Sequence, residues 1–204
     1  MKMINRIFVV VTLFLLFGAT AYAEEAAQAP AAGMDPAMTE KMKAIMAPGE
    51  AHKALEPLVG KWNYTGIFKM TPEGQPVEMK GTATHTMVYG GRFLKQEIQG
   101  PWMGENFEGL GYTGYDNIKK EYESVWLDSM GTGMMKVSGT FDFATKTLSQ
   151  SGENSCPLTG ETHRKGRSEW KMTDKDHSTY SSYLLGPDGQ EFKAMELNYT
   201  RLQE

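Results

Sequence analysis

From Lys61 onward the chain alternates apolar and polar residues with a period of two, interrupted only by short turns. Only β-strands send successive side chains to opposite faces, so this pattern excludes a helical domain. In "KWNYTGIFKMT" one face carries Trp62, Tyr64, Gly66, Phe68 and Met70 against Lys61, Asn63, Thr65 and Lys69. In "VEMKGTATHTMVY" Val77, Met79, Gly81, Ala83, His85 and Met87 oppose Glu78, Lys80, Thr82, Thr84 and Thr86. Further strands are predicted over 92–99, 106–115, 120–129, 133–143, 146–153, 162–173, 177–185 and 191–201, with "YGGR", "YDNIKK", "FATKT", "TDKDH" and "GPDGQ" as turns. About ten consecutive strands with no interior helix predict an all-β fold, an antiparallel up-and-down β-barrel. A sandwich is the alternative. Closure is favoured because it removes exposed edges.

The N-terminal end reads differently. Lys2 and Arg6 precede an apolar run from Ile7 to Phe17, followed by Ala21-Tyr22-Ala23. That is the pattern of a secretory signal peptide cut after Ala23, which predicts an exported, periplasmic protein. The apolar run is shorter than the roughly 20 residues a spanning helix needs, so no membrane association is expected after cleavage. Residues 24–33 are rich in Ala, Pro and Gln and read as a flexible leader, with a single domain from 34 to 204. Cleavage removes two basic residues and takes the formal charge from −4 to −6. Basic clusters are absent, so no nucleic-acid partner is expected. The single cysteine, Cys156, has no internal partner for a disulfide and reads as an incidental thiol. No Cys/His spacing resembles a zinc site.

A helix is predicted over 36–47, with Asp35 as N-cap, Pro36 at the first helical position and Pro48-Gly49 as the stop. Met38, Met42, Ile45 and Met46 share one of its faces. Such a stripe packs on a core, closes a cavity as a lid, or offers an adaptable Met-rich binding surface. A second short helical stretch, "GEAHKALEPLVGKW", brings Leu55, Leu58 and Val59 to the first strand.

"HKALEPLVGKW", "YGGRFLKQE", "FEGLGYTGYDNIKKEYESVWLDSMGTGMM", "GTFDFATKTL" and "GPDGQEFKAMELNYTR" together resemble the bacterial domain-of-unknown-function family 1579, from about Met34 to the C-terminus. The resemblance implies a calycin-like barrel, similar to lipocalins and nitrobindins, and implies no activity. Gly60-Lys61-Trp62 resembles the Gly-x-Trp that opens the first strand of such barrels, and Arg201 in "NYTRL" takes the position that packs over that Trp. Both therefore read as architecture. Nitrobindins hold haem through a late histidine, but the surroundings of His163 and His177 do not match that motif, so no haem site is carried over.

Strand phase then selects the candidate site. Glu121 and Glu123 belong in water, which turns Tyr122, Ser124, Trp126 and Asp128 inward. An inward Asp128 needs a partner or a place near the barrel mouth, and it also suits a strand-end cap on "SMGTG". His85 lies among Ala83 and Met87 on the apolar face, either as a hydrogen-bonded core histidine or as a ligand contact. With Tyr64, Phe68, Met79, Met87 and Met195 these residues make an apolar lining with few polar groups, suited to a small apolar or amphipathic molecule. Thioethers also bind Cu(I), but the methionines are scattered along the chain, and no metal or cofactor is expected. Nucleophile-elbow, phosphate-loop and dinucleotide motifs are missing. Three readings follow: a ligand-binding barrel, an enzyme using His85 and Asp128 as acid and base, or a docking protein acting through the Met-bearing helix and an exposed Trp102.

Overall fold

A computed structural model describes residues 35–156 and 159–203. The expected signal peptide and leader lie outside the described residues. Contacts divide the chain into a unit that ends at Ala44 and a second that starts at Ile45. Helix α1 (Pro36–Met46) begins where the sequence places it, with the Ala37 amide donating to Asp35 Oδ1 at 3.0 Å. None of its residues is buried, and Met38, Met42, Ile45 and Met46 are exposed.

The second unit is a closed barrel of ten antiparallel strands. They are β1 (Gly60–Phe68), β2 (Val77–Val88), β3 (Phe93–Trp102), β4 (Glu105–Asp116) and β5 (Glu121–Asp128). The meander continues through β6 (Met135–Asp142), β7 (Thr147–Asn154), β8 (Arg164–Met172), β9 (His177–Leu185) and β10 (Glu191–Arg201). Each strand pairs with its neighbours in sequence, and β1 closes the ring against β10. The expected up-and-down barrel is therefore what forms, and the sandwich is not.

Closure requires tilted strands. Successive pairs run Tyr122–Gly139–Gln150–Ser168–Ser182–Met195–Phe68, from the start of β5 to the end of β1. Gly66 and Gly139 allow the walls to coil this tightly: a Cβ on either would run into the carbonyl oxygen of Glu196 or Ser149 on the neighbouring strand.

One end is plugged. Helix α2 (Glu50–Lys53) and a 3-10 turn (Glu56–Leu58) push Leu55 and Leu58 against Leu94, Tyr122, Leu148, Trp170 and Met172. Each such side chain contributes about 1.5–3 kcal/mol on burial. The Tyr122 hydroxyl donates to the Ala51 carbonyl at 2.7 Å, and the Trp62 indole donates to the Leu58 carbonyl at 2.9 Å. Arg201 spreads over the Trp62 ring at 4.0 Å and donates to the carbonyls of Val59, Pro57 and Lys175. It locks plug, first strand and last strand together.

Arg201→Met is expected to lower unfolding free energy by about 2–4 kcal/mol, from the lost cation–π contact and charge-assisted hydrogen bonds. Arg201→Lys keeps the charge without the planar fork and should recover little of this. Urea unfolding measures both, and a Lys variant as stable as the native protein would contradict the assignment.

Candidate functional site

On β5, β7, β8 and β9 inward side chains become more exposed from the plugged end towards the other. On β8, Met172, Trp170 and Ser168 are buried while Gly166 and Arg164 are half-buried. On β7 the change falls between Gln150 and Gly152, on β5 between Tyr122 and Ser124, and on β9 between Ser178 and Tyr180. Strand direction places the open end at the loops 69–76, 103–104, 129–134 and 186–190. That end is the mouth. A shallow outer groove of about 530 Å³ also lies where the β2–β3 ladder ends at Thr82 and Gln99.

At the mouth, rings lie against glycines. Gly111 pairs with Trp126 and Gly109 with Asp128. A Cβ at Gly109 would run into the Trp126 indole, and one at Gly111 would stand 2.9 Å from it. The indole is thus laid along the wall. Its Nε1 donates to Asp128 Oδ2 at 2.9 Å, and Asp128 Oδ1 accepts from the Met130 amide at 2.9 Å. Asp128 both orients the indole and caps the turn, as a strand-end aspartate should. Tyr64 uses the same device, its hydroxyl lying over Gly81 and Gly100. Tyr64 and Met79 are buried in one cluster with Phe68, Met195 and Trp102 packed on it, Phe68 meeting Trp102 edge-on at 5.4 Å. Trp102 is therefore a half-buried wall residue, because the alternation of β3 continues through Pro101 into it. The expectation of an exposed loop tryptophan is corrected. Met103, its neighbour, is exposed.

Deeper, the wall carries a polar chain. Ser124 Oγ donates to Gln150 Oε1 at 2.9 Å, so the Thr113 hydroxyl, 2.8 Å from Ser124, must donate to it. Gln150 Nε2 continues to the Tyr122 carbonyl at 3.3 Å. Thr113 and Gln150 escaped the sequence reading, although the alternation of β4 and β7 turns both inward. Met87 and Tyr122 lie below this level, packed under the plug. Burial pushes the Tyr122 hydroxyl up to about 12, which keeps it a donor.

His85 sits on the floor. It pairs with Gly60 and is fully buried among the rings of Trp62, Trp170 and Tyr199. Its Nδ1 lies 3.1 Å from the Leu58 carbonyl, which can only accept, so the ring proton belongs on Nδ1. Nε2 finds no partner among the described residues. Burial, assisted by the charge of Arg201, lowers its pKa to about 4 against the opposing Leu58 bond. Asp128 is the last residue of β5, at the mouth. β2 and β5 run in opposite senses and carry these groups to opposite ends, so the acid–base pair of the alternative enzyme reading does not form.

His163 and His177 are exposed and bonded to Glu153 and Asp174. Cys156 is buried, with Arg164 Nη1 3.7 Å from its sulfur. Among the described residues no three His, Cys, Asp or Glu side chains converge as metal ligands.

A neutral buried imidazole makes stability pH-dependent. Between its unfolded value near 6.5 and its folded value of about 4 the unfolded chain binds the extra proton, so stability falls as pH drops through that range. His85→Gln is expected to flatten the slope between about pH 6.5 and pH 5 in urea titrations, where few carboxylates titrate. An unchanged slope would assign it elsewhere.

One solved structure agrees with the barrel. In solved structures the chain is similar to Rv2717c from M. tuberculosis, at 20% identity and a TM-score of 0.58, covering 77% of this chain and 100% of that one. At 20% identity this is a likeness of fold. A redesigned beta barrel also matches, at 14% identity and a TM-score of 0.39 over 76% of this chain and 100% of the other. No curated protein matches. The family model described as "Protein of unknown function (DUF1579)" covers residues 47–201, from the residue after α1 to the end of β10. The chain belongs to the DUF1579 family.

Proposed function

We propose that this protein is an exported binding barrel, holding a small apolar or amphipathic molecule in the lumen behind its mouth. The observation that carries this is the gradient of exposure along the inward face of β5, β7 and β8: side chains that alternation turns inward there are half-exposed towards the mouth and buried near the plug. Eight strands already make a barrel whose interior holds side chains or one small ligand, and width grows with strand number. Ten strands make a wider ring than eight, and the rings of Trp126 and Tyr64 lie against glycines of its wall. Phe68, Met79, Trp126 and Met195 supply apolar lining, and Ser124 and Asp128 supply a few fixed polar groups. That mixture suits a ligand oriented by few hydrogen bonds.

The neutral fluorophore N-phenyl-1-naphthylamine is expected to bind with enhanced emission. Val137, half-buried on the inward face of β6, provides the control. Val137→Trp should fill the mouth and weaken binding about tenfold or more, equivalent to about 1.4 kcal/mol. Undiminished binding by a folded variant would place the probe outside the lumen. A second reading, partner docking, draws on the exposed Met38, Met42, Ile45 and Met46 of α1. Removing residues 24–47 should then abolish complex formation while leaving fluorophore binding intact.

A further inference from the structure

Resting on the lumen reading, we infer that the barrel selects ligands that carry a neutral hydrogen-bond donor at their inner end, an alcohol, phenol or amide N–H, with His85 Nε2 as its acceptor. His85 is 1% exposed, and its Nε2 is a buried polar atom with no partner among the described residues. Burying an acceptor without a bond is costly, and such atoms are rare enough in folded proteins to need a reason.

The chemistry of the acceptor is set by its surroundings. The Leu58 carbonyl takes the Nδ1 proton, which leaves Nε2 with a lone pair and nothing to donate. Burial keeps the ring neutral, with a pKa of about 4, so it offers no charge to a carboxylate at pH 7. Trp62, Trp170 and Tyr199 frame it with ring centroids 6.4, 5.3 and 6.1 Å away. A desolvated ammonium in that frame would be costly, which favours a neutral donor over a cation.

Neighbouring groups do not offset this preference. The Trp62 and Trp170 indole N–H groups are committed to the Leu58 carbonyl and to Ser178 Oγ. Arg201, the nearby cation, spends its guanidinium on the carbonyls of Val59, Pro57 and Lys175. Among the described residues a ligand acid reaching the floor would thus meet no free cation, while an alcohol would supply a bond to Nε2.

The test is displacement of N-phenyl-1-naphthylamine at pH 7.5 by decan-1-ol, by its donor-free isomer 1-methoxynonane, and by decanoate. Decan-1-ol is expected to bind about tenfold more tightly than either competitor, the size of one net hydrogen bond plus relief of a buried acceptor. His85→Asn keeps a donor where Nδ1 stood but removes the acceptor at Nε2, and should bring the alcohol-to-ether ratio close to one. His85→Gln places an amide near the Nε2 position and should keep part of it. Thermal melting confirms that each variant is folded, and if the Asn variant is not, the ratio in the native protein and in the Gln variant decides. Equal binding of alcohol and ether by the native protein, a ratio unchanged in His85→Asn, or tighter binding of decanoate would overturn the donor preference while leaving the lumen reading intact. Failure of the fluorophore itself to bind would remove both.

Discussion

The Leu58 carbonyl oxygen holds the closed end of this barrel together. It accepts the Trp62 indole N–H from β1 and the His85 Nδ1–H from β2, joining the 3-10 turn of the plug to two strands of the wall. A carbonyl has two lone pairs, so one oxygen can satisfy both donors. Arg201 then covers the same Trp62 ring from the end of β10. Plug, first strand and last strand therefore meet at one point, and the buried aromatic floor rests on it. The orientation of His85 follows from this arrangement: the tautomer that serves the plug is the one that presents an acceptor on its other nitrogen.

Much of the fold was legible because period two is a direct consequence of strand geometry. The strands lie within a few residues of the predicted spans, and Trp62 and Arg201 meet as the calycin resemblance implies. Residues whose role depends on depth along the barrel were not legible. Alternation states that Tyr122 and Asp128 point inward; it cannot state that Tyr122 lies under a plug while Asp128 stands at the mouth. Pairing His85 with Asp128 failed for this reason. Phase was right and height was wrong. Trp102 failed in the opposite way: a strand was ended at its glycine and proline, although the inward alternation ran one residue further.

Glycine and aromatic residues form a second layer of information that a pattern of apolar and polar residues conceals. Gly109, Gly111, Gly81 and Gly100 carry no side chain, so the alternation of apolar and polar residues does not register them. In the barrel they are recesses into which Trp126 and Tyr64 are fitted. The cross-strand pairing of Gly111 with Trp126 means the recess and its occupant are specified together, and neither is informative alone. The rings of Trp126 and Tyr64 thus lie along the wall.

The ring closes between β1 and β10, where Trp62 stands opposite Arg201 almost a whole domain away in sequence. Every other ladder joins neighbours in the chain and forms at low entropic cost, whereas this last seam must wait for nearly all of them. Without it the sheet would have two bare edges, one bearing Tyr64 and the other Tyr199. Such edges invite pairing with another chain. The plug residues immediately before β1 bond to Trp62 and His85 within the first two strands, so part of the surface that receives the final strand is held by contacts close in sequence.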